Sequence, residues 1–204
     1  MKSNLIGHSR DYPQHKDSGQ VPTGLEAFVH RLPWPILTTK QDINLACYPG
    51  EPHYSAPGWK EPHNGLDIQV REGTPVRLPE TARVLYCYVE YGMAQCIFAQ
   101  GIESRIVYCF AHLAAKSLPD RVKFQSWFDP DSQAIITRRQ MLGRVAHWPN
   151  NLGPDVQVPE DVTTVYDRAY HHLHFDTSYL SSGKLSLVRL GDRFNPLLVL
   201  TELS

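Results

Sequence analysis

Polar and apolar positions alternate most clearly over Ala82–Tyr91, Met93–Gln100 and Ser104–Ala111, which are rich in Val, Ile, Tyr and Phe and are separated by glycine-containing turns. A period of two in such residues predicts three successive antiparallel strands. A short apolar-flanked run, Tyr170-His171-His172-Leu173-His174-Phe175-Asp176, predicts a buried strand. Successive side chains on a strand point to opposite faces, so His172 and His174 share one face and His171 and Leu173 the other. Ile68-Gln69-Val70, a turn at Glu72-Gly73-Thr74-Pro75, and Val76-Arg77-Leu78 predict two further strands, and Gly183–Leu190 another. Arg193-Phe194-Asn195-Pro196-Leu197 reads as a turn, and Leu197–Leu200 closes the chain.

The remaining segments are less regular. Residues 24–31 suit a short helix or strand. Leu32-Pro33-Trp34-Pro35-Ile36-Leu37 is expected to be extended, because a residue before proline avoids the helical region. Residues 48–62, with four prolines and two glycines, read as a loop. Trp127–Asp131 reads as a turn, Ser132–Leu142 as a short helix or strand, and 147–164 mostly as loop. Residues 1 to about 20 are polar and aperiodic, as in a mobile arm. The expected organisation is an arm over 1–23 and one domain over 24–204. Its fold class is mainly β, an antiparallel sheet sandwich or hybrid barrel with long loops and little helix.

Composition narrows the function classes. The chain has 204 residues, 42% hydrophobic and 20% charged, with a formal net charge of −1. Acidic and basic residues are mixed throughout, so no basic face is offered to nucleic acid. No apolar run approaches the ~20 residues a membrane-spanning helix needs. Lys2 is followed by no apolar stretch, so no secretory signal is expected in the chain as written. The four cysteines form no C-x-x-C pair, which disfavours a cysteine zinc site. A turn near Tyr91-Gly92 would set Cys87 roughly opposite Cys96. Both a disulfide and two small buried side chains fit that placement.

The ten histidines carry the candidate chemistry. His172 and His174, on one face of a rigid strand, suit metal binding or a split between metal binding and proton transfer; two structural histidines fit equally. His63-Asn64-Gly65-Leu66-Asp67 brings an imidazole and a carboxylate out of a loop into a strand, with Gly65 expected to let the backbone bend until the two converge. His112 sits at the end of the third strand of the meander, in Tyr108-Cys109-Phe110-Ala111-His112-Leu113, where functional side chains are often presented.

Taken together and in this order, His63-x-Gly65-x-Asp67, Tyr108-x-x-Ala111-His112-Leu113 and His172-x-His174-Phe175 resemble the lysostaphin/LytM-type zinc metallopeptidases. The likeness extends to Gly73-Thr74-Pro75-Val76 and to Asn195-Pro196, and covers roughly residues 48–200. It implies one zinc per chain, with His63, Asp67 and His174 as ligands and His112 and His172 as catalytic histidines. Three protein ligands leave a fourth position open for water, the mark of a catalytic zinc site. The implied activity is hydrolysis of peptidoglycan stem or cross-bridge peptides by a zinc-bound water, in the periplasm or outside the cell, by a monomer. Which histidine is the base stays open. His171 stands where the family often has proline or another small residue. The long interval between His112 and His172 implies loops beside the cleft, around 117–140 and 147–169. Trp59, Trp148 and Tyr170 are candidates for groove walls, and Asp176 for orienting a ligand histidine. The alternatives weighed are a LytM-like module that activates a cell-wall amidase without catalysis, a zinc peptidase acting on other peptides, a cupin-like metal oxygenase and a structural zinc protein. A cupin wants a downstream histidine, and none follows His174.

Overall fold

The strand pattern recurs, with small shifts of boundary, in the computed structural model, which describes residues 20–36, 44–47, 65–90, 94–123, 134–138, 140–146, 171–181 and 191–201. In chain order the strands are β1 (Asn44–Cys47), β2 (Leu66–Gln69), β3 (Pro75–Arg77), β4 (Ala82–Glu90), β5 (Ala94–Gly101), β6 (Val107–Leu113), β7 (Ile135–Ile136), β8 (Met141–Arg144), β9 (His172–Tyr179) and β10 (Asp192–Phe194). Helix among the described residues is limited to α1 (Asp120–Lys123) and three-residue 3-10 turns at Glu26–Phe28, Ala115–Ser117 and Pro196–Leu198. The fold is mainly antiparallel β, as the alternation predicts. No helix among the described residues is long and apolar enough to cross a membrane.

Eight strands form one antiparallel sheet in the order β1-β2-β9-β6-β5-β4-β7, with β10 also paired to β9; β3 and β8 form a separate two-stranded ribbon. The meander β4-β5-β6 is local. Strand β9 comes from far along the chain and inserts between β2 and β6. That insertion assembles the candidate site.

One face of the sheet carries the main core: Leu66 and Ile68 from β2, Ile97 and Ala99 from β5, Tyr108 and Phe110 from β6, and Leu173 and Phe175 from β9. The Phe110 and Phe175 rings lie 5.2 Å apart and those of Tyr108 and Phe175 stack at 6.0 Å. Such aromatic pairs stabilise by about 1 kcal/mol beyond their burial. A smaller cluster of Leu85, Phe98, Val107 and Cys109 lies apart from that core.

A buried polar latch ties the β3–β4 turn to the β5–β6 turn. Glu80 accepts hydrogen bonds from the Tyr108 hydroxyl (2.5 Å), the Ser104 hydroxyl and the backbone N–H groups of Glu103 and Ser104 (3.1 and 3.2 Å). Gly101 makes room for it, since an added β-carbon there would overlap the Glu80 carboxylate. Burial, reinforced by the Glu80 charge and hydrogen bond, pushes the Tyr108 hydroxyl well above the ordinary tyrosine range. Tyr108 is thus a structural residue, although it belongs to the motif that ends in His112.

Two expectations need correction. Arg193-Phe194 is strand, not turn: β10 pairs with β9 through Asp192↔Tyr179 and Phe194↔Thr177. Cys87 does not oppose Cys96. The hairpin pairs Glu90 with Ala94, so Cys87 faces Ile97 and Cys96 faces Tyr88. A slip of one residue sends a side chain to the opposite face, so these two thiols point away from one another. Cys87, Cys96 and Cys109 are free and buried. Burial pushes the Cys87 thiol up to about 11, opposed by a hydrogen bond from Gln95. We expect Cys87 to resist alkylation by iodoacetamide at pH 8 in the native protein and to react after unfolding in guanidinium, as peptide mass spectrometry would record. Residues 1–19 of the expected arm, the loop over 48–62 and the strand expected at Gly183–Leu190 lie outside the described residues.

Candidate active site

Strand β9 places the histidine pair, and its neighbours complete the face. In register, Asp67 on β2 opposes His174, Gln69 opposes His172, and Ala111 on β6 opposes His174 from the other side. Directly opposed residues share a face of the sheet. Asp67, His172, His174 and Asp176 therefore stand together, on the face away from Leu66, Ile68, Leu173 and Phe175. The alternation read from the sequence holds. His174 Nδ1 lies 3.0 Å from Asp67 Oδ1, and His172 Nε2 lies 3.7 Å from the same oxygen. Asp67 and His174 are both buried, where a carboxylate facing an imidazole interacts more strongly than it would in water.

His112 reaches this face by a backbone device. Alternation from Phe110, which is in the core, would send His112 into the core as well. The β5–β6 register prevents this: Ile97 opposes Phe110 but Gln95 opposes Leu113, so two residues of β6 bulge against one of β5. His112 takes a left-handed conformation, φ 62°, which histidine tolerates better than most residues with a β-carbon. Bulges redirect side chains in this way. The His112 ring ends 4.4 Å from that of His172, edge-on at 68°, and 6.3 Å from that of His174.

Gly65 stands at a bend directly before β2, as expected, and a steric reason also keeps it a glycine. It is absent from the positive-φ glycines, but an added β-carbon would lie 2.6 Å from the Phe175 carbonyl oxygen and 3.1 Å from His174 Cε1. The first neighbour is backbone and cannot swing aside. We expect Gly65→Ala to push β2 away from β9, lowering stability by roughly 1–3 kcal/mol and separating Asp67 from His174. Thermal unfolding together with zinc titration would record both effects.

Asp176 shares the face but is held by another partner. Its Oδ2 accepts from Arg193 Nε at 2.9 Å, with both side chains nearly buried. The sequence reading missed Arg193 because it treated that segment as a turn. His171 lies in the opposite phase, half-buried, and its carbonyl accepts from the Val70 N–H at 3.0 Å. His63, Trp59, Trp148 and Tyr170 lie outside the described residues.

The donors present suit a borderline metal such as zinc. Imidazole and carboxylate are its ordinary ligands, and here one of each faces the other across a paired register. Among the described residues no group of three or more His, Cys, Asp or Glu side chains is arranged to hold a metal ion. Asp67 and His174 face one another there, and the third donor expected from the sequence, His63, is not among the described residues.

No family model and no curated protein matches this sequence. Solved structures do. The chain is similar in fold to Csd3 from Helicobacter pylori. The TM-score is 0.50 at 16% identity, covering 84% of this chain and 35% of Csd3. It is also similar to a chain of the SpoIIQ–SpoIIIAH pore-forming complex, with a TM-score of 0.51 at 9% identity, covering 85% of this chain and 92% of that one. A weaker likeness, TM-score 0.46 at 14% identity, is to the catalytic domain of the antimicrobial peptidase lysostaphin from Staphylococcus simulans, covering 71% of this chain and 86% of that one. At these identities the likeness is one of fold.

Proposed function

We propose that this chain is a zinc-dependent metalloendopeptidase that hydrolyses peptide bonds in peptidoglycan stem or cross-bridge peptides. The observation that carries the reading is the pairing of His174 Nδ1 with Asp67 Oδ1, with the His112 and His172 rings packed beside it on the same face. Asp67 and His174, with His63, would hold one zinc per chain. Zinc there would supply a water of lowered pKa and polarise the scissile carbonyl. The rest of the work falls to protein side chains. His112 and His172 are close enough to divide it: one takes a proton from the attacking water, and the other stabilises the oxyanion or protonates the leaving amine. The edge-on packing of the two rings fixes their relative orientation. The place of action is the periplasm or the cell exterior, and the working unit a monomer.

A second reading is a binding module without catalysis, favoured by the fold likeness to a component of a pore-forming complex. The histidine pair distinguishes the two. Under the peptidase reading His112→Ala and His172→Ala keep one zinc per chain, measured by metal analysis, and each lowers kcat/KM by about 100- to 10,000-fold. Equal rates in wild type and both variants would remove the pair from catalysis and favour the binding module.

A further inference from the structure

Arg193 contributes more to the histidine face than the anchoring of Asp176. It opposes Ser178 on β9, and Ser178 alternates in phase with His172, His174 and Asp176, so its side chain belongs to the histidine face. The guanidinium is nearly buried, and its Nε lies 2.9 Å from Asp176 Oδ2. An arginine meeting a carboxylate commonly uses two donors in a fork. Here Nη1 is buried and has no hydrogen-bond partner. A buried, charged donor left unmatched costs free energy, and an incoming anion would recover it.

We propose that Arg193 is a specificity-determining residue that binds a carboxylate of the substrate, with Asp176 holding the guanidinium in place. The inference rests on the peptidase reading and narrows it: the preferred substrate is a peptide with a free carboxylate close to the scissile bond, rather than a neutral glycine-type bridge. Guanidinium and carboxylate then meet in a site of low local dielectric, where a charge-assisted bond is roughly twice as strong as a neutral one.

The test uses a soluble stem-peptide dimer and the same dimer with its carboxylates converted to carboxamides, offered to the zinc-loaded full chain. Affinity is measured by calorimetry and cleavage by mass spectrometry. The expected result is binding of the carboxylate form at least 10-fold tighter than the amide. That ratio should collapse towards one in the charge-balanced double variant Asp176→Asn/Arg193→Gln, shown to be folded by circular dichroism. Arg193→Lys, which keeps the charge but lacks the fork, should retain part of it. Loss of folding cannot imitate a changed ratio between two ligands. Equal affinity for the two forms, binding of neither, or an unchanged ratio in the double variant would overturn the proposal. Cleavage of both forms at one rate would overturn it while leaving the peptidase reading intact. Discrimination in binding without any cleavage would sink the peptidase reading and leave the anion site standing.

Discussion

His174→Ala is expected to abolish zinc retention and peptide hydrolysis together while leaving the sheet folded. His174 Nδ1 lies 3.0 Å from Asp67 Oδ1, and on the proposed reading it is a zinc ligand that alanine cannot replace. Losing a metal ligand should lower kcat/KM by on the order of 1,000-fold or more, about 4 kcal/mol of transition-state stabilisation. The backbone of β9 is held between β2 and β6 whatever the side chain at 174, so thermal unfolding should shift by only a few degrees. Metal analysis beside a cleavage assay separates this variant from His112→Ala, which should lose rate and keep zinc. A His174→Ala protein with one zinc per chain and wild-type rate would show that the ligand set lies elsewhere.

Glu80→Ala is expected to be the most destabilising single change. It strands the Tyr108 hydroxyl, the Ser104 hydroxyl and two backbone N–H groups around a buried void. An unsatisfied buried polar group costs about 1–3 kcal/mol, and such costs do not simply add within one network. We expect a loss of roughly 3–5 kcal/mol, which for a domain of this size lowers Tm by about 6–20 °C. Glu80→Gln should fall between, since its amide oxygen replaces only part of the carboxylate's accepting capacity. Tyr108 gives a second readout. Its hydroxyl is held above the ordinary range in the folded state, so that contribution is complete below pH ~10 and is lost as pH rises through the alkaline range. The variant should blunt this alkaline loss. A Tm within two or three degrees of wild type, recorded by circular dichroism, would contradict the account of the latch.

The periodic part of the architecture could be read from the sequence. The meander β4-β5-β6 and the histidine strand β9 have side-chain alternation and local turns, so period and face follow from the order of residues. His172 and His174 share a face with Asp67 for that reason. What could not be read depends on pairing between distant segments. Nothing in the order of residues states that β9 enters between β2 and β6, or that β10 continues along the same edge of β9. His112 shows a second kind of failure: simple alternation assigns it to the core, and a one-residue bulge with a left-handed backbone overrides that phase. Cys87 and Cys96 show a third, since an error of one residue in hairpin register exchanges the two faces. Glu80 gave no sequence signal, because a carboxylate in a Pro-Glu-Thr turn resembles any exposed loop acid until its four donors are seen around it.

We propose that the face built by Asp67, His112, His172 and His174 hydrolyses cell-wall peptides. The most direct test is mass spectrometry of purified peptidoglycan incubated with the zinc-loaded chain, beside His174→Ala as control. The account predicts linear fragments of formerly cross-linked peptides, with new amino termini at one defined bond, and none in the control. Intact cross-links, with one zinc still bound per wild-type chain, would contradict it.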